Sequence, residues 1–466
     1  MNRYQLKPIS HRRPFRQRGA ATLIVVMLLF FIISMVAAYT SRNLIFEQRT
    51  SANQYRSTQA FEAAEAGLEW AVAQLNAGRM STSCAASAAS VLGTIANDSS
   101  FARRYLTVDA VSGAVTPIYV GSTRQPQCVF GRSSDTATDW AWRCSCPLST
   151  AGANTLSQPG GSGPTPAFRV RMLDGFDSQQ VGPRTDLIQI ESNSCTRLAD
   201  SCLQFDNDDR GGTGDGVARV SALVALRGAI TRPPAAALTV AESLAALPAG
   251  ATLTLTNQDA TASGITLHAG GSVPGTGITL VTVAGAPPSS SALSADLSLS
   301  PAAAGGFTAP DRRFALYFGV RPDTYFRQPG MVEVGCNGGC NADNVNLALL
   351  RNPGRAIRVK GAGTLTIGAD IGTASAPALL ILDADVDVNF SGGVTFVGLL
   401  YGRKSDWTWT VGGAVTIQGA AVAEGGLTLT GGSGATRIVY DAPTLTALRV
   451  SYGTFVRVPG SWKDFQ

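Results

Sequence analysis

The chain has 466 residues, of which only 15% are charged, a composition that excludes a disordered protein and suits an exported one rich in β-structure. Its formal net charge of +5 comes from six cations that precede Gly19, so the remainder holds 37 − 6 = 31 basic against 32 acidic side chains. Because nucleic-acid binding needs a basic face on the folded domain, this distribution argues against nucleic acid as a partner.

The first predicted element is an apolar helix that begins directly after the basic leader. The stretch from Ala20 to Tyr39 has no charge and is about 20 residues long, enough to span the hydrocarbon core of a bilayer. The preceding arginines predict a cytoplasmic N-terminus by the positive-inside rule. The sequence therefore predicts a single-pass membrane anchor.

The helix is predicted to continue beyond the membrane, because no proline occurs between Ser41 and Ala77 and helix-forming residues continue. In its second half, small and apolar residues recur at three- and four-residue spacing and form one stripe. We expect this stripe to pack against other helices. Its members are Ala60, Ala63, Ala64, Gly67, Leu68, Ala71, Val72 and Leu75.

The N-terminal segment resembles a known protein family. RGAATLIVVMLLFF, followed by SANQYRSTQAFEAAEAGLEWAVAQL, is similar to the N-terminal region of the type IV pilus minor pilin family PilX. The basic leader ending in Arg18-Gly19, the apolar helix and the AEAGLE segment account for the resemblance, which covers residues 12–79. It implies that a prepilin peptidase cleaves between Gly19 and Ala20 and leaves the helix on the mature protein.

The resemblance also implies a structural function without catalysis and without a cofactor: initiation of pilus assembly in a tip complex that supports adhesion or twitching motility. The implied partners are other minor pilins, the major pilin, a pilus-tip adhesin and the prepilin peptidase. The implied location is the inner membrane with the head in the periplasm, and then the pilus tip at the cell surface.

One departure from the major pilins favours the tip position. Major pilins resemble one another in a glutamate at the fifth mature position, where this chain has Ile24. A buried carboxylate is costly without a cation, so a subunit with no neighbour above it does not need one.

The remainder of the chain is predicted to be rich in β-structure, which gives an α+β fold. Residues 79–230 contain segments with alternating polarity and are expected to form a pilin-like, disulfide-containing β region, with a sheet that packs on the outer half of the helix. Residues 231–311 are rich in proline and alanine and are expected to be a variable insertion or linker. Short strands separated by glycine turns at 312–466 predict a β-solenoid or a β-sandwich, with preference for the solenoid. The preceding segments are the leader, 1–19, and the membrane-spanning pilin helix, 20–78.

Eight cysteines follow the leader, and an even number predicts disulfides in an oxidising compartment. Cys336 and Cys340 are the best-placed pair, because they enclose NGG, whose glycines permit a tight turn. Cys195 with Cys202 is the next candidate. Zinc is the alternative for short cysteine spacings, but the chain has two histidines and no CxxC pair.

Two acidic patterns could bind a cation. Asp383, Asp385, Asp387 and Asn389 alternate with apolar residues and would line one face of a strand; a solvated outer face is the alternative, and we favour it. The loop DNDDRGGTGDG at 206–216 has the oxygen-rich composition that suits calcium, but it does not meet the EF-hand pattern, and a solvated turn is favoured.

Paired tryptophans occur twice. Trp140 and Trp142 are expected to be aromatic anchors in a loop-rich region. Trp407 and Trp409 share a strand face, where they could be exposed and stack on sugars or on a partner protein, or else pack at an edge of the solenoid.

Two other functions fit the sequence. A tip pseudopilin of type II secretion also lacks the early glutamate. A membrane-anchored β-helix enzyme acting on polysaccharide is the second alternative. Enzymatic activity is disfavoured because GxSxG and P-loop patterns are absent and His268 is the only histidine after the leader.

Overall fold

The computed structural model describes residues 19–87, 99–134, 136–148, 152–160, 164–175, 186–205, 215–299, 308–431 and 434–464. The chain divides into two compact units, and the boundary in the sequence lies between Thr58 and Gln59. The first unit contains the beginning of helix α1, and the second contains the end of that helix and every described strand.

The elements follow one another in three groups. The first group is α1 (Ala20–Leu75), β1 (Arg79–Met80), β2 (Ser99–Ser100), α2 (Phe101–Tyr105), β3 (Leu106–Val108), β4 (Val115–Pro117), β5 (Gln127–Arg132), β6 (Trp140–Ser145), β7 (Ala167–Asp174), β8 (Leu187–Cys195), α3 (Asp200–Leu203) and β9 (Val217–Gly228). The second group is β10 (Leu238–Val240), β11 (Thr252–Thr256), β12 (Leu267–Ala269), β13 (Ile278–Val281) and β14 (Ala292–Leu293). The third group is α4 (Ala309–Phe318), α5 (Pro322–Phe326), β15 (Val332–Gly335), β16 (Cys340–Asn341), α6 (Ala342–Arg351), β17 (Ala356–Lys360), β18 (Gly363–Ile367), β19 (Ala378–Leu382), β20 (Val386–Phe390), β21 (Val394–Gly402), β22 (Asp406–Val411), β23 (Val415–Ala423), β24 (Gly426–Thr430), β25 (Ala435–Tyr440), α7 (Ala442–Val450) and β26 (Gly453–Arg457).

Helix α1 is long because nothing in its sequence interrupts it: it contains no proline and a single glycine, Gly67. It ends at Leu75, where the side-chain amide of Asn76 donates a hydrogen bond to the carbonyl oxygen of Val72 at 3.1 Å. This bond satisfies one of the last carbonyls of the helix.

A six-stranded antiparallel sheet, which we call the head sheet, follows the helix with the strand order β26-β9-β8-β7-β5-β6. The last strand of the chain pairs with β9, and Gly453 lies opposite Gly228. The residues between these two glycines are therefore inserted between two neighbouring strands of one sheet.

The inserted part is built from two parallel sheets of eleven and five strands. From β15 to β25 successive strands alternate between the two sheets, so the chain winds as a coil, and each strand pairs with the strand two positions later. Inward side chains alternate along each strand; in β20, for example, Val386, Val388 and Phe390 are buried. This winding corresponds to the predicted solenoid, and the parallel pairing does not fit the β-sandwich alternative.

The structure differs from the linker that was expected at 231–311. Strand β10 pairs in parallel with β23, and β11 pairs in parallel with β25. Strands β12, β13 and β14 then extend the same sheet. An earlier part of the sequence thus adds its strands to the edge of the sheet formed by β23 and β25, and the proline- and alanine-rich pieces connect them.

Helices cover the outer face of the larger parallel sheet. Phe314 and Phe318 of α4 and Leu445 of α7 pack on side chains of β19 and β21. Both faces of β19 are consequently buried, which explains why its sequence is the continuous apolar run ALLIL.

Candidate functional site

The apolar stripe of α1 lies against the head sheet. Ala60, Ala64, Ala71 and Leu75 have no exposed surface, and Leu68 is 1% exposed. Gly67 is buried as well, while Val72 is partly buried. The stripe belongs to one core cluster with residues of β7, β8 and β9, so in this chain it packs on the protein's own sheet.

Gly67 permits the closest approach of the helix to the sheet. A Cβ atom at this position would lie 2.7 Å from the ring of Phe168 and 2.3 Å from Oγ of Ser192, distances that no real side chain tolerates. The hydroxyl of Ser194 donates a hydrogen bond to the carbonyl oxygen of Ala60, which lies about two helical turns before Gly67. Small residues in the stripe therefore allow the helix to pack closely on the sheet.

The opposite face of this part of α1 is exposed and acidic. Glu62, Glu65 and Glu69 are exposed. Glu69 forms an ion pair with Arg457 of β26. Beside this pair, Leu68 and Trp462 line an open cleft, and Trp462 packs edge-on against Phe61 with ring centroids 6.3 Å apart.

The N-terminal part of α1 has a different character. Within the described residues, α1 is long and apolar enough to cross a membrane by length and composition, and its most apolar stretch is not buried in the protein. Ile24 lies in this exposed apolar stretch. Gly19 precedes the helix and is exposed, with space for a Cβ atom free of any contact within 4 Å.

A buried arginine joins the helix, the head sheet and the solenoid. Arg355 is 5% exposed and donates hydrogen bonds to the carbonyl oxygens of Leu75 and Gly453 and to Oδ1 of Asn76. Burial lowers the pKa of Arg355 to about 10. The guanidinium faces the C-terminal end of α1, where the helix dipole favours a cation.

All eight cysteines form disulfides: Cys84–Cys146, Cys128–Cys144, Cys195–Cys202 and Cys336–Cys340. The last two are the pairs that the spacing favoured. Cys195, Cys202 and Asp215 lie close enough together to resemble a metal site, but the sulfurs are bonded to each other and Asp215 pairs with Arg197 at 2.7 Å. The remaining carboxylates of the loop that was considered for calcium, at 206–209, lie outside the described residues.

The predicted acidic row is not formed. Asp383 and Asp385 precede β20, in the corner that follows β19, and only Asp387 and Asn389 lie on the strand. Asp383 forms two hydrogen bonds with the guanidinium of Arg358, at 2.8 and 3.0 Å. Its charge is therefore neutralised within the solenoid.

Asp387 is paired as well, with the ammonium of Lys404, and it accepts a hydrogen bond from the backbone N–H of Thr408 at 3.0 Å. The acidic side chains thus link neighbouring coils to each other and do not converge on a cation.

The tryptophans that were candidates for sugar stacking are inside the solenoid. Trp407 and Trp409 have no exposed surface, and their rings meet edge to face with centroids 5.1 Å apart. They point into the coil with Phe390, so they are core residues and the exposed interpretation was wrong. By contrast, Trp140 and Trp142 lie on strand β6 and are 50% and 39% exposed.

A buried carboxylate, which the sequence analysis missed, lies where α4 covers the solenoid. Glu424 is 2% exposed; its Oε1 accepts hydrogen bonds from the Tyr401 hydroxyl at 2.9 Å and from Nε of Arg403 at 3.3 Å. Its Oε2 has no hydrogen-bond partner, and neither has Nε of Arg313 nearby. Burial raises the pKa of Glu424 to about 7. The signal in the sequence is a lone acid at the end of the apolar run GAAVAE.

Together these features define an α+β protein with a long apolar N-terminal helix, whose second unit is held by four disulfides and contains two parallel sheets. Residues 18–69 match the family model described as PilX N-terminal, which confirms the resemblance for that segment. No curated protein sequence matches the chain.

Among solved structures the chain is similar to the competence-associated pilin ComZ from Thermus thermophilus, with 11% identity over 88% of this chain and 98% of that chain. The TM-score is 0.18, and no argument rests on that similarity.

Proposed function

We propose that the protein is a minor pilin that acts in the initiation of type IV pilus assembly as part of a tip complex. The observation that supports this most strongly is the match of residues 18–69 to the PilX N-terminal family model, most of which falls on helix α1 (Ala20–Leu75). A structural function also agrees with the positions of the candidate enzyme features: Asp383 and Asp387 pair with Arg358 and Lys404, and Trp407 and Trp409 are core residues.

In this proposal the prepilin peptidase cleaves between Gly19 and Ala20, and α1 remains as the anchor. The exposure of Gly19 supports access for such an enzyme. The inner membrane holds the helix before assembly, the head lies in the periplasm, and the subunit then occupies the pilus tip. Neighbouring minor pilins, the major pilin and a tip adhesin are its proposed partners.

Two features support the tip position. Ile24 provides no carboxylate for the amine of a neighbouring subunit. The second unit, Gln59–Gln466, is also far larger than a subunit that must repeat closely along a thin filament. At the tip such a unit can extend without steric conflict.

The test uses the N-terminus and the location of the protein together. Mass spectrometry of the mature protein should find Ala20 as its first residue, and Gly19→Phe should leave the full-length form in the membrane. Immunogold labelling with an antibody to the solenoid should mark the ends of sheared pili. Cleavage after Ala38, as a conventional signal peptidase would choose, or regular label along the shafts would contradict the proposal.

The pseudopilin of type II secretion remains the second candidate, since the helix and Ile24 fit it equally. A deletion strain separates the two: loss of pili with normal secretion agrees with the minor pilin, and a secretion defect with intact pili agrees with the pseudopilin.

A further inference from the structure

The two edges of the head sheet differ in whether they are closed. At the β26 edge the side chain of Asn76 donates to the carbonyl oxygen of Phe455 and accepts from its N–H, both at 2.8 Å. Phe455 lies opposite Leu226 of β9, so these are the backbone groups that point away from the sheet. Asn76 thus satisfies the groups that another strand would use.

The β6 edge is open over its first three residues, whereas just past its end the backbone N–H of Cys146 donates to the carbonyl oxygen of Thr82. Strand β6 pairs with β5 from Gln127–Ser145 to Arg132–Trp140 without a bulge, and among the described residues no second strand pairs with it. It contains no proline, and its first three residues are all exposed. Proteins normally protect such an edge with charge, proline, a bulge or a cover, because unpaired backbone groups attract another chain.

An aromatic face accompanies this edge. Trp140 and Trp142 are two positions apart, so both side chains lie on the same face of the sheet. Phe130 packs against both, with ring centroids at 5.6 and 5.4 Å, and Trp142 also contacts Phe168 at 4.9 Å. Since Phe168 belongs to the helix–sheet core, the exposed aromatic face is continuous with that core and is held rigidly.

The same edge has arginines without acceptors. On β6, Nε and Nη2 of Arg143 are buried and form no hydrogen bond. Nε of Arg132, at the end of β5, also has no acceptor, but its guanidinium lies over the Trp140 ring, 5.7 Å from the centroid. No carboxylate among the described residues forms an ion pair with either side chain. Arg143 lies on the face of β6 opposite to the tryptophans, because it is offset by one position. A carboxylate is the strongest acceptor that such a group can receive.

We propose that β6 is the docking edge for an extended segment of a partner protein, which adds a seventh strand to the head sheet. The segment alternates apolar and acidic residues: its apolar side chains cover Trp140 and Trp142, and an acidic one on the other face pairs with Arg143. Backbone hydrogen bonds provide affinity and the two faces provide specificity, as in other cases of strand addition. This inference does not depend on the pilus function.

The probe is a capped peptide of alternating valine and glutamate, added to the full chain in detergent micelles. Amide hydrogen exchange is followed by mass spectrometry. We expect slower exchange in residues 140–145 and little change elsewhere, together with a change in tryptophan fluorescence. A valine–lysine peptide of the same length should bind at least about tenfold more weakly, because it places a cation beside Arg143.

Two variants and one control give the test its specificity. Trp140→Ala should weaken binding of the valine–glutamate peptide by about tenfold or more. Arg143→Gln should remove the preference for glutamate over lysine while retaining some binding. Leu297→Ser removes an apolar side chain that is 80% exposed elsewhere and should change nothing. Circular dichroism verifies that each variant is folded.

Three results would overturn the inference. One is unchanged exchange of 140–145 at about 1 mM peptide, a concentration that detects weak complexes. Another is equal binding of the two peptides by the unaltered chain. The third is concentration-dependent self-association through β6, which would make a second copy the occupant.

Discussion

The buried carboxylate of Glu424 should make the stability of the protein depend on pH, and Glu424→Gln should remove that dependence. The carboxylate has a pKa of about 7 in the folded protein against 4.5 for an unperturbed glutamate, because burial disfavours its charged form more than Tyr401 and Arg403 favour it. The folded state therefore binds the proton more tightly than the unfolded state.

The direction and size of the pH effect on the free energy of unfolding follow from this difference in pKa. Below pH 4.5 the group is protonated in both states and has no effect. Between 4.5 and 7 the unfolded state ionises first, so stability falls as the pH rises, and above 7 the loss is complete. At about 1.36 kcal/mol per pKa unit, the full loss is about 3 kcal/mol.

Glutamine has nearly the shape of a protonated glutamate but cannot ionise. Glu424→Gln should therefore raise the free energy of unfolding by up to about 3 kcal/mol at pH 8 relative to its effect at pH 4. Taking the difference between the two pH values cancels any cost of the new amide group, which is present at both.

The assay is urea unfolding of the full chain in detergent micelles, followed by fluorescence at pH 4 and pH 8. Glu62→Gln, at an exposed position, is the matched control and should behave alike at both pH values. If Glu424→Gln shifts the unfolding free energy equally at pH 4 and pH 8, the carboxylate is not held in the state described here and the reasoning fails.

Three further changes test the contact of α1 with the head sheet, the β26 edge of that sheet, and the Cys336–Cys340 disulfide. Leu68→Asp places a charge in the helix–sheet core and should destabilise the second unit by about 4 kcal/mol or more, measured by limited proteolysis, whereas Ala73→Asp on the exposed face should not. Resistance of the Leu68 variant to protease would mean that the stripe is not buried. Asn76→Ala should cost about 2 kcal/mol and speed amide exchange in β26; unchanged exchange there would show that the edge is closed by something else. Replacing both Cys336 and Cys340 by serine should cost about 2 kcal/mol in the same urea assay, because the loop they close is short, and no change would mean that the bond contributes nothing.

Helix α1 shows what the periodicity of apolar residues can predict. Spacing identified the stripe from Ala60 to Leu75 correctly, because a three- and four-residue repeat determines which face of a helix is apolar. It could not determine what covers that face. We expected other helices along the stripe and a sheet of the pilin-like head on the outer half of the helix. In the structure the protein's own sheet covers it, and Gly67 meets Phe168 across a contact between distant parts of the sequence.

The solenoid shows a different limit. Alternation placed Trp407 and Trp409 on one face but could not decide whether that face points inward, because inward and outward faces of a strand both repeat every second residue. The acidic row failed for a related reason: the chain turns a corner before Val386, so the period of two does not extend back to Asp383. The pairing of β10 with β23 could not be predicted, because local sequence contains no information on which distant strands become neighbours.

The insertion of the solenoid into the head sheet determines the order in which the molecule can be completed. Asn76 and Phe455 are separated by 379 positions, yet they form the two hydrogen bonds that close one edge of that sheet. Strands β10 and β11 are made early but pair with β23 and β25, which are made near the end of the chain. During synthesis the β9 edge of the head sheet stays unpaired until β26 has been made. Completion of the head sheet therefore depends on the slow closure of a very long loop. Truncation before Gly453 would remove β26 and therefore damage the part of the protein nearest the helix. A cell producing this chain has to protect the unpaired β9 edge from aggregation.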